Sequence, residues 1–151
     1  MVDINRDLYP FESHYHQLPC GQLHYLDEGV GRPLVMVHGN PSWSFYYRNV
    51  VAALRGEARC IVPDHIGCGL SDKPNESTYA YTLSNRIANL NSLLEDTIPD
   101  GQLDMVVHDW GGAIGFGWAV QNPDRIRRLI VLNTGAFRNP SGQKIPPTLA
   151  L

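Results

Sequence analysis

Four short apolar runs, set apart by longer helical patterns, constrain this chain more than any other feature. They are Pro33-Leu-Val-Met-Val-His38, Arg59-Cys-Ile-Val-Pro63, Leu103-Asp-Met-Val-Val-His108 and Arg128-Leu-Ile-Val-Leu132. Each has the length of a strand, and its apolar residues run together instead of alternating, as in strands buried on both faces. Between them, Trp43 to Leu54 has helical spacing, and Thr82 to Asp96 sets Ile87, Leu90, Leu93 and Leu94 on one face. Gly112 to Gln121 reads as a tightly packed helix carrying Ala113, Gly115 and Gly117. Gly21 to Glu28 alternates, as a strand entering a sheet edge does. Strands and helices in this rhythm require right-handed crossovers and a mostly parallel sheet with helices on both faces. The fold class is α/β.

Composition removes several functional classes. Twelve basic against 15 acidic residues give a net charge of −3, which argues against a nucleic-acid surface or a polybasic membrane anchor. Asp3, Arg6, Asp7 and Glu12 break any apolar run near the start, so no signal-peptide core and no membrane span is expected. Cys20, Cys60 and Cys68 are odd in number and irregularly spaced, which fits reduced thiols and a cytoplasmic location better than a disulfide framework.

In an open α/β sheet, ligands bind beyond the carboxyl ends of the strands. Three segments stand there: His38-Gly39-Asn40-Pro41, Asp64-His-Ile-Gly67, and His108-Asp109-Trp110-Gly111-Gly112, the last leading straight into a helix. That last segment has the form of a sharp strand-to-helix turn that lifts one side chain above the sheet. Gly111 and Gly112 are small enough for the helix to pack close. Val107 stands two residues before the apex, where a serine hydrolase of this kind carries glycine. The apex residue is Asp109. An aspartate before a helix is also commonly an N-cap. A carboxylate nucleophile, however, suits displacement at a saturated carbon, because it needs no base and yields an ester. The departing charge then needs donors. Trp110 offers an indole N–H and Asn40 a carboxamide, and the two backbone N–H groups can form an oxyanion hole. One such donor is worth roughly 3–4 kcal/mol of barrier.

The segments 38–48, 63–74 and 107–112 resemble the haloalkane dehalogenase group of α/β-hydrolases, with similarity from about Phe11 to Phe137. The resemblance implies an eight-stranded sheet with a helical cap inserted after the sixth strand. It implies Asp109 as nucleophile and Asn40 and Trp110 as leaving-group donors, acting on a small apolar organic substrate with no cofactor and no metal. Phe11-Glu-Ser-His14, Asp64-His-Ile-Gly67 and Leu132-Asn-Thr-Gly-Ala-Phe137 are similar to a neighbouring branch, the β-lactone decarboxylases of bacterial olefin biosynthesis. On that branch the parent could associate with other olefin-biosynthesis enzymes. Dehalogenation is the first reading and lactone decarboxylation the alternative. Epoxide hydrolases, which share the aspartate but usually lack the asparagine, come third.

The group's water-activating histidine lies far downstream of the elbow, and Asn133 stands at one of two positions for the assisting acid, so both groups are expected beyond Leu151. The sequence is therefore expected to stop before the fold does. Residues 1–137 would be the N-terminal part of the core, and 138–151 the start of a connection to a cap that this chain lacks, leaving the chain alone inactive. His38 and His108 are expected to be held by backbone hydrogen bonds, and His65 to belong to a turn. Asp64 and Asp72 read as loop-fixing. His14, His16 and His24 have strand spacing without carboxylate support, a poor basis for a metal site. A non-catalytic α/β binding module remains the alternative from another class, but such a module has no need of Asn40, Asp109 and Trp110 at strand ends.

Overall fold

The structure, a computed structural model, describes residues 4–135; the proposed connection 138–151 lies outside them. Among the described residues six strands form one sheet: β1 (His14–Leu18), β2 (Gly21–Glu28), β3 (Arg32–Val37), β4 (Ala58–Pro63), β5 (Leu103–His108) and β6 (Ile126–Leu132), in the spatial order β1-β2-β4-β3-β5-β6. The pairings β4–β3, β3–β5 and β5–β6 are parallel, and β1–β2 and β2–β4 are antiparallel.

The expected strands are all present, but the sheet edge differs. β2 is covered by β1, joined to it by a two-residue turn in which Leu18 faces Gly21. His14-Tyr-His-Gln-Leu18 carries too few aliphatic residues to read as an apolar run, because it is half exposed. Its strand state comes from pairing with β2, a tertiary cause that local periodicity does not carry.

Alternation along the central strands divides the core. Val35 and Val37 of β3 and Met105 and Val107 of β5 face one way. There they meet Leu90, Leu93 and Leu94 of α2 (Leu83–Thr97) and Ile114 and Trp118 of α3 (Trp110–Gln121). Met36 and Val106, paired in register, face the other way with Cys60 and Val62. That side packs Tyr9, Phe11, Tyr47 and Val51, the last from α1 (Arg48–Leu54). Helices therefore cover both faces, which is why the strands read as continuous apolar runs. The segment expected as one helix from Trp43 starts differently, with a 3₁₀ turn over Ser44–Tyr47 before α1. α3 begins two residues earlier than expected, at Trp110.

Among the described residues, β6 is the other edge. Its Ile130, Val131 and Leu132 are exposed, the only central-type strand so placed. No helix there is long and apolar enough to cross a membrane. Cys20, Cys60 and Cys68 are free thiols, and burial pushes the Cys60 thiol up to about 11, far from thiolate reactivity.

Candidate active site

The strand-to-helix turn at Asp109 forms because three backbones must nearly touch. Asp109 joins β5 to α3 with φ 52° and ψ −130°, a region that costs a non-glycine residue about 1–3 kcal/mol. The surroundings hold it there. The Asp109 carbonyl accepts from the Thr134 hydroxyl (2.6 Å) and from the Gly112 N–H (2.9 Å). A Cβ on Gly111 would overlap the Val37 carbonyl, and one on Gly112 the Thr134 hydroxyl. The two glycines let α3 start against the ends of β3 and β6.

The side chain of Asp109 does not cap its own helix. It reaches across to the loop after β3, where the Asn40 backbone N–H donates to Oδ1 at 2.9 Å. Gly39 is buried beneath it, and a Cβ there would collide with the Asp109 carboxyl. Among the described residues Oδ2 has no hydrogen-bond partner. One carboxylate oxygen is thus anchored and the other left free, the arrangement a nucleophile requires and an N-cap does not.

Two histidines fix the loop that carries Asn40. Fully buried His38 donates from Nδ1 to the Gly39 carbonyl (2.7 Å), and its Nε2 accepts the His65 backbone N–H (3.0 Å). His65 donates back from Nε2 to the His38 carbonyl (3.0 Å), and the rings lie 4.2 Å apart. His38 donates from one ring nitrogen and accepts at the other, so its ring is neutral. Burial holds His65 well below the usual histidine range, and the neighbouring His38 ring disfavours a second positive charge beside it, so His65 is neutral too. Burial likewise lowers His38, against the hydrogen bond to Gly39. The backbone bonding of His38 agrees with the sequence reading. That of His108 does not: it stacks on Tyr46 (4.6 Å between centroids) with Nε2 3.3 Å from the Tyr46 hydroxyl, and its buried Nδ1 has no partner. Pro41 follows Asn40 through a cis peptide bond.

These depressed histidines set a pH response. The unfolded chain takes up protons below a pKa of about 6.5 while the folded chain resists, so stability is full above that value and falls with pH. The melting temperature should therefore drop steadily between pH 7 and pH 5. A flat profile over that range would contradict the neutral His38–His65 pair.

Asp64 anchors the neighbouring loop. Its Oδ1 accepts from the Ser44 N–H (2.6 Å), and its Oδ2 from the Leu70 N–H (2.8 Å) and His24 Nδ1 (3.0 Å). Burial alone would raise this carboxyl, but the His24 bond and charge with the two backbone donors outweigh it and hold it below the usual range. Asp72 accepts from the Gln22 N–H at 2.7 Å. Both aspartates thus fix loops. His16 and His24 do find carboxylates, Asp96 and Asp64, but they stand on opposite faces of β1–β2, with His14 on the face of His16.

A cavity of about 550 Å³ opens beside the turn, walled by Asn40, His65, Trp110, Ile114, Tyr81, Thr82, Leu83, Arg86 and Cys68. Asn40 and Trp110 line it together, one hydrogen-bonded to Asp109 and the other its chain neighbour. Among the sequence candidates, Gly39, Asn40, Asp109, Trp110, Gly111 and Gly112 form one constellation, with His38 behind it. The wall contributed by α2 was not foreseen, Arg86 above all. Its signal was legible: Arg86 lies on the same helical stripe as Leu90 and Leu93, a charge on the apolar side.

A sequence profile described as alpha/beta hydrolase fold matches residues 32–148. A cis-3-alkyl-4-alkyloxetan-2-one decarboxylase of Shewanella oneidensis is 56% identical over 142 residues, which are 94% of this chain and 45% of that protein. Haloalkane dehalogenase 2 of Mycobacterium tuberculosis is 41% identical over 135 residues, 88% of this chain and 46% of that one. Among solved structures, the epoxide hydrolase CorEH superposes with a TM-score of 0.78 at 28% identity, covering 93% of this chain and 48% of its own. The chain spans a little under half the length of these curated relatives.

Proposed function

The chain belongs to the α/β-hydrolase fold family, and on that premise we propose that the protein carrying it opens a β-lactone through an ester on Asp109 and releases an olefin and carbon dioxide. The observation behind this reading is the carboxylate of Asp109, held by one oxygen on the Asn40 N–H, turned away from its own helix. Oδ2 attacks the saturated ring carbon that bears the ring oxygen. The new C–O bond forms as the ring C–O bond breaks, and the electron pair moves onto the departing oxygen, which becomes a carboxylate. Asn40 and Trp110 supply donors for that charge. In the second step the bond between the adjacent carbon and the carboxylate breaks, and its electrons form the double bond. Asp109 departs from carbon as the free carboxylate. Atoms and electrons balance, and neither water nor an oxidant is consumed.

The preference reverses the order read from motifs alone. Identity of 56% to a protein named as an oxetanone decarboxylase, against 41% to one named as a haloalkane dehalogenase, favours the strained lactone. Hydrolytic dehalogenation is the second reading. It uses the same ester but requires an activated water to cleave it, with the Asn40 N–H stabilising the oxyanion on Oδ1. Incubating the full-length protein with a synthetic cis-3,4-dialkyl β-lactone should give olefin and carbon dioxide in equal amounts. Bromide release from a bromoalkane, with the lactone untouched, would sink the lactone reading and favour the dehalogenase.

A further inference from the structure

From the wall of the cavity we infer that Arg86 forms a carboxylate-binding subsite beside Asn40 and Trp110, and so selects substrates whose leaving group is a carboxylate. The inference rests on the reading of Asp109 as the group that opens a lactone, and it names what that site recognises.

Arg86 lies on α2, half-buried, on the same wall as Asn40 and Trp110. Much of that wall is apolar or aromatic, with Leu83, Ile114 and Tyr81 beside it. A cation in such a place is costly unless something answers its charge. Among the described residues no carboxylate does: the acidic partners there pair with Arg55, Arg59, Arg127 and two histidines. One guanidinium nitrogen makes a long bond to the Ile66 carbonyl (3.3 Å), and the group lies 5.7 Å from the Tyr81 ring centre. These contacts orient the side chain while using little of its five-donor capacity. Its charge and a hydrogen bond also reach Cys68, lowering a thiol that burial raises more strongly, which places the positive group at the cavity wall.

The chemistry of the leaving group decides what this cation suits. A halide is spherical and departs from the substrate, and two N–H donors meet its charge. The oxygen expelled from a lactone stays tethered and becomes one half of a planar carboxylate. A guanidinium matches that shape with two parallel N–H···O bonds, and it does so only once the ring has opened. Arg86 would thus bind the charge as it develops and discriminate against neutral substrates of similar bulk.

The test compares octanoate with octanamide, probes of equal shape and different charge, binding to the full-length protein by calorimetry. The wild type should bind octanoate at least about tenfold more tightly. Arg86→Met should bring the ratio close to one, and Arg86→Lys, which keeps the charge but loses the fork, should restore part of it. On the β-lactone, Arg86→Met should lower kcat/KM about 10²-fold, with Arg86→Lys between. A wild type that binds both probes equally, or a preference that survives Arg86→Met in a folded variant, overturns the subsite even if lactone is consumed. An Arg86-dependent preference without any lactone turnover supports the subsite and overturns the lactone reading, so the two failures are distinguishable. Loss of lactone turnover in Arg86→Lys equal to that in Arg86→Met, with octanoate binding unchanged in both, also overturns it.

Discussion

Asp109→Ala should lower lactone turnover by the full-length protein at least about 10⁴-fold, the scale on which removal of a covalent nucleophile acts. Stability should barely move. Asp109 is exposed, caps nothing in α3, and accepts one hydrogen bond from an exposed N–H, so the change stays within about 1 kcal/mol. That pairing separates a chemical role from a structural one. Asp109→Glu keeps the charge but adds a methylene where Gly39 lies in direct contact, so the carboxylate is displaced from the Asn40 N–H. A misplacement of that size costs about 10²-fold. Steady-state kinetics with thermal melting on the three proteins checks both expectations. Retained turnover in the alanine variant would remove the nucleophile from the account.

Asp64→Ala should cost about 3–5 kcal/mol of folding stability, because it breaks a fully buried pair and leaves His24 without its partner. The same substitution removes the acceptor of the Ser44 and Leu70 N–H groups. Since Asp64 ties β2 and the 3₁₀ turn after Asn40 to the loop that ends at Leu70, loop order near the cavity should fall with it. Asp64→Asn retains acceptor capacity and should lose less. Urea unfolding at pH 7.5 measures both, and a loss under about 1 kcal/mol for the alanine variant would show that Asp64 is not the anchor described.

The parallel centre of the sheet was legible because strands buried on both faces have no choice of residue type. Val35 and Val37 pack under α2 and α3 while Met36 packs under α1 and Tyr47, so every position is apolar. β1 was hidden for the opposite reason: it is an edge strand whose order comes from β2. The 3₁₀ entry to α1 follows from Asp64 gripping the Ser44 N–H, a contact 20 residues away that helical periodicity does not report. At the site, the small residues around Asp109 told where backbones approach, since Gly39 and Gly111 leave no room for a Cβ. A charge on the apolar stripe of α2 was legible too, but its purpose was not. Arg86 is spaced like a core residue of α2, and its meaning emerges only when the helix is laid against Asn40 and Trp110. His108 misled in another way, because an aromatic partner, Tyr46, took the place expected for a backbone group.

The central claim is the ester on Asp109, and mass spectrometry of the full-length protein quenched in acid during a single turnover tests it most directly. The peptide containing Asp109 should gain the mass of one whole lactone early in the time course and lose it as olefin appears. An unmodified Asp109 peptide while olefin accumulates, or the added mass on another side chain, would contradict it.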